Sequence, residues 1–241
     1  MWNFSKDVYD FVKVRVLRVF FRKVMHKSEF VFVSEWMATQ FYRFLDFCPA
    51  DLDSKQHVIY NCVGQYFEEN AYDPDSPKSY DFITIRNSLD HSKYAVDFVC
   101  EIAVNNPGFG FCLVGKGDFF KHYDKPDNLD WIDRNLSHEE IVSYLNQSRC
   151  ALLPTRADAQ GVMACEMATF GIPLITSDID VCREVFSGFD NVVLIDNQVG
   201  DIDLRSLLTM LEGRQTSVKN EQYFMKNTVH KEIDLFRSLK G

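Results

Sequence analysis

Between Tyr80 and Ile195 the chain alternates short apolar runs with longer stretches of helical periodicity. The runs DFITIR (81–86), FGFCLVG (109–115), NLDWI (128–132), CALLP (150–154), PLITS (173–177) and NVVLI (191–195) predict strands. The stretches 92–105, 137–148, 162–170 and 181–187 predict helices between them. Continuous apolar strands interleaved with helices imply the α/β class, a doubly wound parallel sheet covered on both faces. Such sheets bind ligands beyond the carboxyl ends of their strands. Two more helices are expected at 201–213 and roughly 218–239.

The preceding part of the chain follows another pattern. In residues 5–27, Phe11, Val14, Leu17, Phe21 and Val24 recur at helical spacing, with Lys13, Arg15, Arg18, Arg22 and Lys23 between them. This predicts a basic amphipathic helix, which either packs on the protein with its cations at the rim or docks on an anionic membrane surface. EFVFVS (29–34) reads as a buried strand, EWMATQFYRFL as a short helix and 57–60 as a β-run. The Asp-, Pro- and Ser-rich stretch 65–79 reads as a linker. The expected division is therefore 1–64, 65–79, 80–216 and 217–241.

Composition narrows the function classes. The net charge is −9, yet residues 1–27 hold seven Lys and Arg against two Asp, so the rest of the chain is strongly acidic. An acidic body argues against nucleic-acid binding. No apolar run reaches the ~18 residues of a membrane span, and the charged start does not read as a signal peptide; a cytoplasmic protein, peripheral to a membrane where the basic helix docks, is expected. The seven cysteines form no C-x-x-C pair and read as reduced, mostly buried thiols, and neither they nor the six histidines show metal-ligand spacing.

Three constellations fall at strand carboxyl ends. Arg86 closes the first strand of the alternating region and Lys93 opens the next helix, either two cations converging on a phosphate or diphosphate, or a salt-bridge partner and a solvated lysine. Gly115 begins a G-x-G turn that is neither a P-loop nor a dinucleotide fingerprint and reads first as a plain turn. In DAQGVMACEMATFGIPLITSDI (158–179), Gly161 ends a polar loop and lets a ligand approach the free N–H groups of the helix that starts there. Asp158 would stand on the loop and Glu166 a turn and a half into the helix, as ligand-binding acids or as a cap-region residue and a surface acid.

The run Pro154, Asp158, Gly161, Glu166, Ala168, Gly171, Pro173 resembles the E-x7-E signature of retaining nucleotide-sugar glycosyltransferases of the two-domain GT-B architecture, especially family four. SEFVFVSEWMATQF, VIYNCVGQYF, LSHEEIVSYLNQSRCALLPT and TSDIDVCREVF resemble other segments of that family, in its order, from about residue 27 onward. The resemblance implies a Rossmann-like donor-binding domain preceded by the tail of an acceptor domain. It implies that Arg86 and Lys93 neutralise a donor diphosphate, that Asp158 contacts the transferred sugar and that Glu166 holds ribose hydroxyls. Gly161, Gln160 and Gly115 would belong to the donor site, the backbone around Asp133 and Arg134 would frame the base, and Glu184 would support the diphosphate. No metal and no tightly bound cofactor is implied; a UDP- or GDP-sugar is the substrate and a glycan or lipid-linked molecule the acceptor. Asp158 stands where the family usually has Glu, and Ala159 and Gln160 replace its common Gly-Phe. The family's N-terminal acceptor domain is expected from another polypeptide, or the chain is a truncated product or a binding subunit without catalysis. Self-association through 5–27 is a further expectation.

Overall fold

The computed structural model describes residues 4–46, 56–198, 202–214 and 218–239, with side chains from Val12 onward, His26 excepted. The chain divides into two compact units, Met1–Tyr60 and Asn61–Gly241.

In the first unit, helix α1 (Phe4–Val24) runs into a 3-10 turn at Met25–Lys27, followed by β1 (Phe30–Phe32), α2 (Glu35–Leu45) and β2 (Gln56–Val58). β1 and β2 pair in parallel, Phe30 opposite Gln56. Ser34 caps α2 by accepting the Met37 N–H at 3.1 Å. A small aromatic core of Met25, Phe32, Ala38 and Tyr42, flanked by Phe30, Phe41 and Val58, holds these elements together. Phe21 of α1 meets Phe41 edge to face at 5.1 Å. Arg18 donates to the Phe44 carbonyl at 2.5 Å and Arg22 to the Leu45 carbonyl at 2.9 Å, so both cations close the carboxyl end of α2. Val12, Val16, Val19 and Phe20 form a second, exposed stripe on α1. No helix among the described residues is long and apolar enough to cross a membrane.

The second unit begins with α3 (Gln65–Glu69) and then alternates: β3 (Tyr80–Ser88), α4 (Val96–Asn105), β4 (Phe111–Lys116), β5 (Leu129–Ile132), α5 (His138–Asn146), β6 (Ser148–Leu153), α6 (Val162–Phe170), β7 (Leu174–Ser177), α7 (Asp180–Val185), β8 (Val192–Ile195), α8 (Leu204–Glu212) and α9 (Val229–Ser238). All six strands β3–β8 are parallel, in the order β5-β4-β3-β6-β7-β8. The chain enters at the centre, winds out to β5, returns to β6 and winds out the other way. The carboxyl ends of β3 and β6 therefore diverge, and a crevice opens between them. Phe82, Leu113, Leu152 and Ile175 of the sheet pack with Val99 and Ile102 of α4 and Leu204, Leu208 and Leu211 of α8 in one continuous core. Ser137 and Glu140 form a reciprocal capping box at the start of α5.

Two expectations need correction. The stretch 65–79 is not a free linker, because its side chains are anchored in the second unit. Phe67 is fully buried, Tyr72 donates its hydroxyl to the Ser148 carbonyl at 2.9 Å, and Lys78 reaches the Asn146 carbonyl at 2.8 Å. The expected helix over 218–239 forms only at 229–238, after a 3-10 turn at Met225–Asn227. Upstream of it the fully buried Tyr223 stacks on Phe189 at 5.8 Å and donates to the Val185 carbonyl at 2.5 Å, and this insertion holds the chain out of helical geometry. The cysteines at 62, 100, 112, 150, 165 and 182 are free thiols; Cys48 lies outside the described residues. Burial pushes the thiols of Cys100 and Cys112 up to about 12, so they behave as core residues.

Candidate functional site

At the switch point, the end of β3, the turn after it and the start of α6 enclose a cleft of about 350 Å³. Arg86, Lys93, Tyr94, Asp158, Gly161 and Glu166 are among its lining residues. Arg86 sits where β3 leaves the sheet, and its Nη2 donates to the Pro154 carbonyl at 2.6 Å. Its Nε is buried without a hydrogen-bond partner among the described residues. Burial pushes the guanidinium down to about 10, against the opposing pull of Asp158 and Tyr94. A cation held at that cost gains most from an anion delivered into the cleft.

The polar loop before α6 is shaped by Asp158, whose Oδ1 accepts the N–H groups of Ala159 at 2.8 Å and Gln160 at 3.4 Å. Gly161 then turns the chain into the helix at φ 72° and ψ 62°, the left-handed region. No side chain caps α6. The residues carrying its first N–H groups, Val162, Met163 and Ala164, line the cleft and present the positive end of the helix to it. Glu166 is buried, at 7% exposure, and accepts the Gly64 N–H at 3.1 Å. Burial pushes its carboxyl upward, while that N–H and His138 pull it back.

The two walls of the cleft are fastened to each other. The Lys93 carbonyl accepts the Thr155 hydroxyl at 3.0 Å and the Arg156 N–H at 2.8 Å. Arg156 forms a bidentate pair with Asp97, both bonds 2.8 Å. Beneath the loop, Ser177 donates to Asn197 at 2.5 Å and accepts the Thr155 N–H at 2.7 Å, while Asn197 returns a bond to the Thr155 carbonyl at 2.9 Å. Thr155 and Ser177 lie in the family-resembling segments that end at 155 and begin at 176, whereas Tyr94 and Asn197 lie in none, and only the fold brings those two to the site.

The other expected site residues stand outside the cleft lining. Gln160 is buried with its amide committed to the backbone of Asn61. Gly115, at φ +150°, makes room for the neighbouring strand: a Cβ there would lie 2.4 Å from the Arg86 carbonyl oxygen. Asp133 is exposed after β5, and Arg134 pairs with Glu140 at 2.7 Å beside the α5 cap. Glu184 is half-buried on α7.

Residues 73–226 match the family model described as glycosyl transferases group 1. The chain belongs to this family. Its sheet is the Rossmann-like, C-terminal-type domain of the GT-B architecture. An uncharacterized glycosyltransferase of Methanocaldococcus jannaschii is 26% identical over 222 residues, 87% of this chain and 58% of that protein. A glycosyltransferase from Rickettsia africae ESF-5 superposes with a TM-score of 0.65 at 11% identity, covering 92% of this chain and 66% of that one. Sucrose-phosphate synthase from Thermosynechococcus elongatus gives a TM-score of 0.63 at 13% identity, covering 87% and 57%. As a group 1 glycosyl transferase sequence, the chain thus spans between a half and two-thirds of the length of these proteins.

Proposed function

We propose that this chain is the donor-binding part of a retaining glycosyltransferase, which moves a sugar from a nucleoside diphosphate sugar to a glycan or lipid-linked acceptor. The observation that carries this reading is the convergence of Arg86, Lys93, the uncapped start of α6, Asp158 and Glu166 on one cleft at the switch point. Leaving-group charge is the electrostatic problem of glycosyl transfer from such donors. Fixed cations and helix N–H groups stabilise the departing diphosphate as an oxocarbenium-like sugar forms, and they do so without reorganising. In this reading Arg86 and Lys93 take the diphosphate without a metal, Asp158 faces the transferred sugar and Glu166 accepts ribose hydroxyls. The acceptor-side domain comes from a further part of the polypeptide or from a partner chain.

Calorimetric titration with UDP, GDP and their common sugar conjugates tests the proposal. Saturable binding, lost in Glu166→Ala and in the double variant Arg86→Ala with Lys93→Ala, supports it; a folded chain that takes up none of these ligands refutes it. A second reading is a nucleotide-sugar-binding subunit without catalysis of its own. Binding without sugar transfer, even with an acceptor-side partner present, identifies that case. The exposed apolar stripe of α1 beside Lys13 further supports docking on an anionic membrane surface. Co-sedimentation with phosphatidylserine vesicles at low salt, absent with neutral vesicles, is the expected result.

A further inference from the structure

Two like charges flank one aromatic ring in the cleft. The Arg86 Cζ lies 4.9 Å from the centroid of Tyr94, and the Lys93 Nζ lies 4.8 Å from the same centroid. Two neighbouring cations repel each other, and the exposed Lys93 gains by swinging away into solvent. The π-face of an aromatic ring attracts a cation at this distance and gives both a reason to stay.

The two cations depend on the ring unequally. Arg86 is also held by the Pro154 carbonyl. The Lys93 ammonium makes no hydrogen bond or ion pair among the described residues and is exposed, so the ring is its restraint. The ring itself is anchored. Tyr94 closes a turn by donating its N–H to the His91 carbonyl at 2.9 Å, and its ring meets the His91 ring edge to face at 5.9 Å. The next residue, Ala95, is fully buried at φ 49°, a left-handed conformation costly for a residue with a Cβ, and the backbone persists there because its neighbours fix it. The unpartnered Nε of Arg86 adds an unsatisfied donor on the same side of the cleft.

We propose that Tyr94 is a positioning residue, whose ring holds the Arg86 guanidinium and the Lys93 ammonium together as a two-cation clamp for a diphosphate. The inference rests on the donor-site reading above and extends it to a residue that touches the cations rather than the reacting atoms. A clamp of two cations favours two phosphates over one. The ring therefore sets the preference for a nucleoside diphosphate over the monophosphate, and its hydroxyl is dispensable.

The test is calorimetric titration of the chain with UDP, UMP and GDP, for wild type, Tyr94→Phe, Tyr94→Leu and Lys93→Ala, together with the double variant of the last two. Tyr94→Phe should bind the preferred diphosphate within about twofold of wild type. Tyr94→Leu should lose about tenfold for the diphosphate and markedly less for UMP. In the Tyr94→Leu background, Lys93→Ala should cost less than it does in wild type, a coupling that a merely structural role would not produce. Unchanged diphosphate binding by folded Tyr94→Leu, an equal loss in the Phe and Leu variants, or strict additivity with Lys93→Ala each overturns the inference while leaving the donor reading intact. Failure of the wild type to bind either diphosphate overturns both. Where Tyr94→Leu does not fold, Tyr94→Met, unbranched and able to fill the half-buried space, takes its place with the same expected losses.

Discussion

The side-chain amide of Gln160 pairs with both backbone groups of Asn61, accepting its N–H at 2.6 Å and donating to its carbonyl at 3.0 Å. The two residues lie 99 positions apart, and the pairing fastens the start of the second unit to the loop that shapes the cleft.

Gln160→Ala leaves two backbone groups of Asn61 without these partners beside a buried site. The expected loss is about 1–3 kcal/mol of stability, seen as a lower urea midpoint. Gln160→Glu should cost more at neutral pH, because a carboxylate would face the Asn61 carbonyl, and should recover part of the loss in acid. Equal midpoints for wild type and both variants would contradict the role assigned to the amide.

Glu166 makes the site's stability depend on pH. Its carboxyl is raised by burial above the ordinary value of 4.5, so the folded chain holds this proton more tightly than the unfolded chain does. Its contribution is therefore fully present below 4.5 and is lost as pH rises through the raised folded value. Glu166→Gln keeps an oxygen for the Gly64 N–H and removes the titration. Its melting temperature should exceed that of wild type at pH 7 and match it near pH 4, while diphosphate binding weakens about tenfold with the loss of a charge-assisted acceptor. Thermal melts across that range, paired with titration, read both effects.

Gly115, outside the cleft, and Gly161, at its wall, should fail differently. Gly115→Ala drives a methyl group to 2.4 Å from the Arg86 carbonyl oxygen and should destabilise the fold by about 3 kcal/mol or more, because strand backbone has to move. At Gly161 the added Cβ would meet Asp158 Oδ2 at 3.4 Å, an ordinary contact, and the cost is the left-handed backbone, about 1–2 kcal/mol. Gly161→Ala should thus stay folded and show its main defect in ligand binding. The comparison needs urea unfolding and titration on the same samples.

Arg86→Lys separates charge from shape. Lysine keeps the charge but loses the planar fork that reaches Pro154 and lies against Tyr94. Diphosphate affinity is expected to fall about tenfold or more, with a steeper dependence on salt than in wild type. Full affinity in the lysine variant would show that a point charge suffices.

The parallel sheet was legible because each strand is a continuous apolar run and each covering helix has its own period; both are local properties. Arg86, Lys93, Asp158, Gly161 and Glu166 line one cleft, and the sequence could group them because the first four lie at strand-to-helix junctions and Glu166 follows a turn and a half into α6. Other features depend on residues distant in the chain. Gln160 reads as part of a ligand loop until Asn61 is seen beside it. Gly115 reads as a turn glycine until the β3 backbone is placed against it. Tyr94 drew no reading from the sequence, because the two cations share its ring only in the fold. The segment 218–228 is held out of a helix by the insertion of Tyr223, whose partners Val185 and Phe189 lie more than thirty positions upstream.

The arginines of α1 carry a consequence for how the chain presents its charge. Arg18 and Arg22 are joined to the last carbonyls of α2, where a helix concentrates partial negative charge. Part of the cationic surplus of the first 27 residues is thus held against carbonyls inside the first unit. On an exchange resin the chain would respond to this segment less than the segment's formula charge suggests. Replacing the two arginines by glutamine would shift its elution by less than two solvated charges would, while fraying the end of α2.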